Sequence, residues 1–470
     1  MTGNRAAGPA ARRAERDGHL LALRSLSALQ PRHPLERSLA AIEALGAQES
    51  HRFLDSLRMR SLVARRLAAV ESAHPAVRAC AQALAPKVAR LRHMHDVLDD
   101  NLKRLEQLAI RLGVELFGGK GISAHATYTD RSARDFNDLD LFVRTRADAT
   151  ALSRVLRHEL GFRYQKYELP WFKLDPSDGM LYGQIALVAP DGSPDLVNAD
   201  IHFGDYSVRH CGRLDITGMY TGGAPGLRMV PAEENLACIV NNAAGDYFVT
   251  AKDTNDLLMA LSLPGFDADR FAGLLRSSHL AGFFGFVART LEASSVLTAE
   301  QRGRLAAIPT PRTAEPAPRP DAPDWNRRCA GTALHAFATR RADGIVPAVR
   351  VAADAFGYYR RHLKLELAPG GRQSPVRPFA LNPWTCVRLV PVDLAVALLD
   401  EGTAGGRPAT LPERRSFVGT GTDVERIDTP AGMYVRVEEE FFVATVLYRL
   451  DPRLVRQAAA AAAAAPAPAR

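Results

Sequence analysis

Three acidic residues are spaced as a divalent-metal site would require. Asp138 and Asp140 stand two apart in Asn-Asp-Leu-Asp-Leu-Phe-Val (137–143), a stretch that alternates apart from Phe142 and reads as a strand. Strand side chains alternate between faces. Both carboxylates therefore point to one side, while Leu139, Leu141 and Val143 point to the other, where a helical layer can bury them. Two like charges held that close repel unless a cation neutralises them. Magnesium does so with hard oxygen ligands and keeps its other positions for water or substrate phosphates. Asp200 is the expected third ligand. Its strand, 196–203, sets Val197, Ala199, Ile201 and Phe203 on an apolar face and Asn198, Asp200 and His202 on a polar one. Such a site suits phosphoryl or nucleotidyl transfer: one ion orients and screens a triphosphate, and a second lowers the pKa of an attacking hydroxyl. The plainer alternative is a surface strand on which Asp-x-Asp arises without a ligand and His202 satisfies a backbone group. A third carboxylate on a separate strand and a glycine turn upstream favour the metal.

That turn is Phe117-Gly118-Gly119-Lys120-Gly121, after a strand at 114–117 and before a helix expected near Ser123. Consecutive glycines allow close backbone approach to an anion, and a helix start offers N–H groups to phosphate. Gly118, Gly119, Lys120 and Gly121 are thus candidate nucleotide contacts, with Lys120 as a point charge. The pattern is neither Gly-x-x-x-x-Gly-Lys-Ser/Thr nor Gly-x-Gly-x-x-Gly, which removes the P-loop and dinucleotide readings. Arg134 is expected to steady the loop through Asp135 or Asp138, or to touch triphosphate; Arg131 reads equally as a solvated loop residue. Lys173, beside Trp171 and Phe172, is a further phosphate candidate, although the two aromatics serve a core just as well.

The elements that must position these residues follow from periodicity. Residues 1–18, rich in Arg and Ala, read as a flexible N-terminus. Apolar stripes through Leu35–Leu45, Phe53–Leu67 and Val88–Leu108 make 19–112 a helical region, with Pro31, Pro34, Pro75 and Pro86 at its breaks. The core, 113–228, alternates short strands with a helix over 147–160 that stops at Gly161, and with strands at 162–168, 171–174 and 181–188. Helices return over 229–307, and 308–324 is a Pro-rich linker. Residues 325–456 form a C-terminal α+β domain with strands at 380–390, 433–437 and 441–448, and 457–470 is an Ala/Pro tail, helical in its alanines or disordered. The expected fold class is therefore multidomain α+β, a mixed sheet flanked by helical regions.

Composition bounds the rest. A chain of 470 residues exceeds one ordinary core. The formal net charge of +8 favours anionic partners such as nucleotides, but no Lys/Arg tract with interleaved aromatics points to a polynucleotide surface. The five cysteines form no Cys-x-x-Cys pair, which argues against a cysteine metal or redox site. There is no apolar signal segment and no bilayer-length apolar run, so the expectation is a cytoplasmic protein without a membrane partner.

Together the motifs resemble the uncharacterised nucleotidyltransferase family of the polymerase-beta-like superfamily. The resemblance rests on Lys120-Gly121, Arg134, Asp138-Leu139-Asp140-Leu141-Phe142-Val143 and Asp200-Ile201-His202-Phe203, in order and at fitting distances, and covers about 57–300. A later helical segment with Asp253 and Asp256-Leu257-Leu258 fits the same layout. The superfamily's Gly-Ser after its first strand is replaced here by Gly118-Gly119-Lys120. The resemblance implies a mixed sheet, a carboxylate triad of Asp138, Asp140 and Asp200 holding Mg2+ (with Mn2+ as the alternative), and transfer of a nucleoside monophosphate from an NTP. It does not fix the acceptor. A small molecule, as in natural-product biosynthesis, or a peptide is the leading choice, with an RNA end or a protein side chain also open. The rival readings are a non-catalytic NTP-binding or scaffold protein and a small-molecule phosphotransferase that releases NDP.

Overall fold

A computed structural model describes residues 9–70, 74–164, 171–174, 181–207, 213–358, 388–400, 424–437, 440–445 and 450–464. The fold is α+β, with a mixed sheet and flanking helices, as the sequence indicates. The chain divides into two compact units, each assembled from separate stretches: Met1–Leu102, Gly119–Asn137 and Met229–Arg328 in one, and Lys103–Gly118, Asp138–Arg228 and Cys329–Arg470 in the other.

The first unit is helical. It holds α1 (Pro9–Leu26), α2 (Leu35–Leu45), α3 (Ala47–Ser56), α4 (Arg60–Ala68) and the first part of α5 (Pro75–Leu112). It continues with α6 (Gly121–Thr127), and α7 (Arg146–Leu160) belongs to the other unit. The remaining helices of the first unit are α8 (Ala232–Asp246), α9 (Ala251–Ser262), α10 (Ala268–Ser277), α11 (Ala281–Ser294) and α12 (Ala299–Ala307). Polar caps start several of them. Thr250 and Asp253 bond reciprocally at α9, Thr298 and Gln301 at α12, and Asp267 accepts two backbone N–H groups at α10. Leu23, Ile42, Leu54, Leu57, Val63 and Leu84 are essentially inaccessible to solvent at the centre of the unit, each stabilising it by roughly 1.5–3 kcal/mol.

Three local expectations meet tertiary structure here. Helix α1 starts at Pro9, within the stretch read as flexible. The Phe53–Leu67 stripe is two helices, parted where Arg58 takes φ 58°. Pro86, expected at a break, lies inside α5. A helix-interior proline costs about 3 kcal/mol, and the buried row Leu84, Val88 and Leu91 on either side of it offsets that cost. The Pro-rich stretch after α12 is held against this unit: Tyr247 Oη donates to Pro316 O (2.7 Å) and Arg24 to Pro320 O (3.0 Å).

The second unit is built on one sheet. Its strands are β1 (Glu115–Gly119), β2 (Asp138–Val143), β3 (Arg163–Tyr164), β4 (Trp171–Leu174), β5 (Leu181–Val188), β6 (Asn198–Phe203), β7 (Gly226–Met229), β8 (Arg388–Pro391), β9 (Val424–Thr429), β10 (Gly432–Val437) and β11 (Glu440–Thr445). They lie in the order β7-β1-β2-β6-β5-β4-β8-β11-β10-β9, with β3 also paired to β5. The β2–β6 pair is parallel, whereas β5 runs antiparallel to β6 and to β4. Strands read as part of a separate C-terminal domain join this sheet through Phe172 opposite Leu389. Helix α7 packs on β2, β5 and β6. Thr145 and Asp148 form its capping box, and Gly161, at φ 74°, ends it in the left-handed conformation that suits glycine. Helices α13 (Trp325–Arg340), α14 (Ile345–Tyr358), α15 (Val392–Asp400) and α16 (Pro452–Ala464) complete the chain order. The alanine tail is therefore helical to Ala464, seated by Leu454, Val455 and Ala458. Expected strand residues 165–168, 380–387 and 446–448 lie outside the described residues. No helix among the described residues is long and apolar enough to cross a membrane.

Candidate metal centre

Pairing fixes which side chains share a face. In the β2–β6 register Asp138 is opposite Asn198, Asp140 opposite Asp200 and Phe142 opposite His202. Cross-strand partners project to the same side of a sheet. The register with β5 puts Gln184 opposite His202 and Ala186 opposite Asp200, and Lys173 of β4 opposite Tyr182 of β5. One sheet face thus carries Asp138, Asp140, Asp200, His202, Gln184 and Lys173. The other carries Leu139, Leu141, Ile185, Ala199, Ile201 and Phe203, all buried, and it is closed by α7. Most residues on both faces are buried, so the alternation in the sequence sorts apolar from polar side chains rather than buried from exposed ones.

On the polar face, ligand-capable atoms of Asp140, Asp200 and His202 lie within 4.8 Å of one another. His202 Nε2 is 3.2 Å from Asp140 Oδ1, with both side chains almost fully buried. Gln184 Nε2 donates to Asp200 Oδ2 at 2.8 Å, which fixes the orientation of that carboxylate. The imidazole is locked by packing, stacked on Phe142 (centroids 4.8 Å apart, planes at 27°) and met edge-on by Tyr206 at 5.2 Å. Asp138 sits one side-chain position back on the same face of β2 and outside the close trio, half exposed where Asp140 is buried. Two carboxylates and an imidazole match the donor chemistry of a divalent cation. These residues fit such an ion, with Asp140, Asp200 and His202 as the groups that would hold it.

The other residues singled out in the sequence fall into place separately. Gly118 and Gly119 end β1, and Lys120 carries the positive φ of the turn (44°) before α6 begins at Gly121. A non-glycine residue in that region is strained. Here the conformation is held by Asn235, whose Oδ1 accepts from Lys120 N–H and whose Nδ2 donates to Lys120 O (3.3 Å). Arg134 is buried, and its guanidinium forks onto Asp256, with Nε to Oδ1 and one terminal nitrogen to Oδ2, both at 2.8 Å. It also donates to its neighbour's carbonyl, Asp135 O. Tyr128 Oη donates to the same Asp256 Oδ1 at 2.8 Å. Burial, and then the Asp256 charge, push the Tyr128 phenol well above its usual range. Desolvation pushes the nearby Lys252 ammonium down to about 8, and Arg134 and Arg58 add to the shift. Lys173 is buried on β4.

The sequence places His202 in the Asp200-Ile201-His202-Phe203 motif without a ligand role and Asn235 on a helix face, and nothing in that reading singled out Gln184 or Lys252. Signals existed for both of these. Gln184 is the one amide in the apolar run Ile185-Ala186-Leu187-Val188 and its preceding strand residues, and Lys252-Asp253 opens the helical turn that leads to Asp256.

No family model matches the chain, and no curated protein matches it. Among solved structures, the comparison finds MenT4, a nucleotidyltransferase toxin from Mycobacterium tuberculosis. It is 15% identical, with a TM-score of 0.28, and the match covers 57% of this chain and 98% of that one.

Proposed function

We propose that the protein transfers a nucleoside monophosphate from an NTP to a hydroxyl or amine of a small-molecule or peptide acceptor, in a divalent-metal-dependent reaction that releases pyrophosphate. The observation that carries this reading is the in-register pair Asp140–Asp200 on two parallel neighbouring strands, closed by His202. Two carboxylates share one polar face, one of them 2% exposed. His202 and Gln184 are fixed polar neighbours of these carboxylates, and paired carboxylates beside an imidazole suit a divalent cation. Such a cation supplies charge neutralisation at the triphosphate and lowers the pKa of an attacking hydroxyl.

The protein's own groups then have distinct tasks. Asp140 and Asp200, with His202 beside them, would hold the ion, and Gln184 keeps the Asp200 carboxylate in one orientation. Asp138, on the same face, is the candidate second carboxylate on the nucleotide side. Asp200 is the candidate acceptor of the proton lost by the attacking group. Lys173 supplies a fixed positive charge on that face for phosphate or the departing pyrophosphate.

The test is a pyrophosphate-release screen across four NTPs with Mg2+ or Mn2+ and candidate acceptors, followed by mass measurement of the product. Asp140→Asn and Asp200→Asn are expected to lower release by about 10^3-fold or more, with the melting temperature unchanged or raised because a like-charge pair is removed. Undiminished turnover in either variant overturns the assignment. Release of NDP would make the reaction phosphotransfer. Binding of Mg–NTP without product would make the protein a nucleotide-binding or scaffold protein.

A further inference from the structure

We infer that His202 Nε2 is itself a ligand of the divalent ion, so that the centre selects a borderline first-row cation of the Mn2+ class over Mg2+. The inference rests on the metal reading of this face, in which His202 stands beside the two carboxylates, and goes beyond it by naming the cation that the nitrogen selects.

Three observations support it. The first is distance. Ligands adjacent on one ion, with bonds of roughly 2.1 Å at right angles, stand roughly 3 Å apart. His202 Nε2 and Asp140 Oδ1 are 3.2 Å apart, which is long for a charge-assisted hydrogen bond, whose usual length is about 2.7–2.9 Å. The second is preorganisation. Phe142 stacks on the imidazole and Tyr206 abuts its edge, so the ring plane is set by packing. A ring held this way presents Nε2 to the carboxylates at no further entropic cost. The third is the neighbouring lock on Asp200. Gln184 donates to its Oδ2 and so holds the carboxylate in one orientation on the face it shares with His202. A donor set of two oxygens and one imidazole nitrogen is softer than the all-oxygen set that Mg2+ requires, and imidazole favours first-row transition ions.

The experiment uses the full chain and MnCl2 as the probe. Electron spin-echo modulation of bound Mn2+ is expected to show a directly coordinated 14N, replaced by the 15N pattern in protein grown with 15N-histidine. That labelling needs no variant and is immune to folding defects. His202→Gln is expected to abolish the nitrogen modulation. In the native protein Mn2+ is expected to bind about tenfold or more tightly than Mg2+, and in His202→Gln the two affinities converge. A Mn2+ signal without nitrogen coupling, coupling that survives in His202→Gln, or absence of Mn2+ binding each overturns the inference. The two readings fail separately. Nitrogen coupling without pyrophosphate release from any NTP leaves the ligand assignment standing and removes nucleotidyl transfer; Mg-dependent release without nitrogen coupling does the reverse.

Discussion

Replacing Asp256 by Ala is expected to destabilise the helical unit by about 3–5 kcal/mol, because it strands the Arg134 guanidinium as a buried, unpaired charge. Both side chains are 1% exposed, and the pair makes two 2.8 Å bonds. The same substitution removes the acceptor of the Tyr128 hydroxyl, whose buried donor then lacks a partner. The attraction itself contributes little of this figure. Desolvating both ions opposes it, so replacing the whole pair by apolar groups of similar size costs far less than removing one half. The assay is urea denaturation of the native protein, Asp256→Ala, Arg134→Met and Arg134→Met/Asp256→Leu, followed by circular dichroism. At a slope of about 2–3 kcal/mol per molar urea, the single variants should lose about 1–2.5 M in midpoint, while the double variant returns most of it. A loss below about 1 kcal/mol in Asp256→Ala, or a double variant as unstable as the sum of the singles, would refute the reasoning. The double variant also decides the nucleotide role proposed for Arg134. Retained NTP affinity confines this arginine to packing, whereas lost affinity in a stable protein assigns it to the nucleotide.

Gln184→Leu removes the donor that orients Asp200, and is expected to weaken Mn2+ binding by about 10–100-fold with little change in melting temperature; titration with Mn2+ checks it, and an unchanged affinity would mean that the Gln184 bond is incidental. Glu315, on the Pro-rich stretch, has its carboxyl pushed up to about 7 by burial, partly opposed by Thr313. The folded state therefore holds the proton more tightly than the unfolded chain, and stability falls as pH rises from about 4.5 to about 7. Glu315→Gln should melt higher than the native protein at pH 8 and match it near pH 4. An equal difference at both values would rule out Glu315 as the group responsible.

Much of this protein is legible one residue at a time. Alternation alone places Asp138 with Asp140, and Asp200 with His202, on single faces, because a strand's side chains reverse at every residue whatever surrounds it. Gly161 announces the end of α7 for an equally local reason, a backbone conformation that costs other residues more. Other features have no local signature. That β6 lies parallel beside β2, in the register that sets Asp200 against Asp140, depends on a crossover and on which strand the intervening chain returns to. The direction of the His202 ring comes from Phe142 and Tyr206, and the hold on Asp200 comes from Gln184 on the next strand. Arg134 finds Asp256 across 122 residues of sequence, and helix α5 runs through Pro86 because its buried row outweighs the break. Local stereochemistry thus set the sidedness of each element. Only cooperative packing of distant segments, which must first overcome the entropy of closing the loops between them, decided which sides meet and which groups within reach can hold an ion.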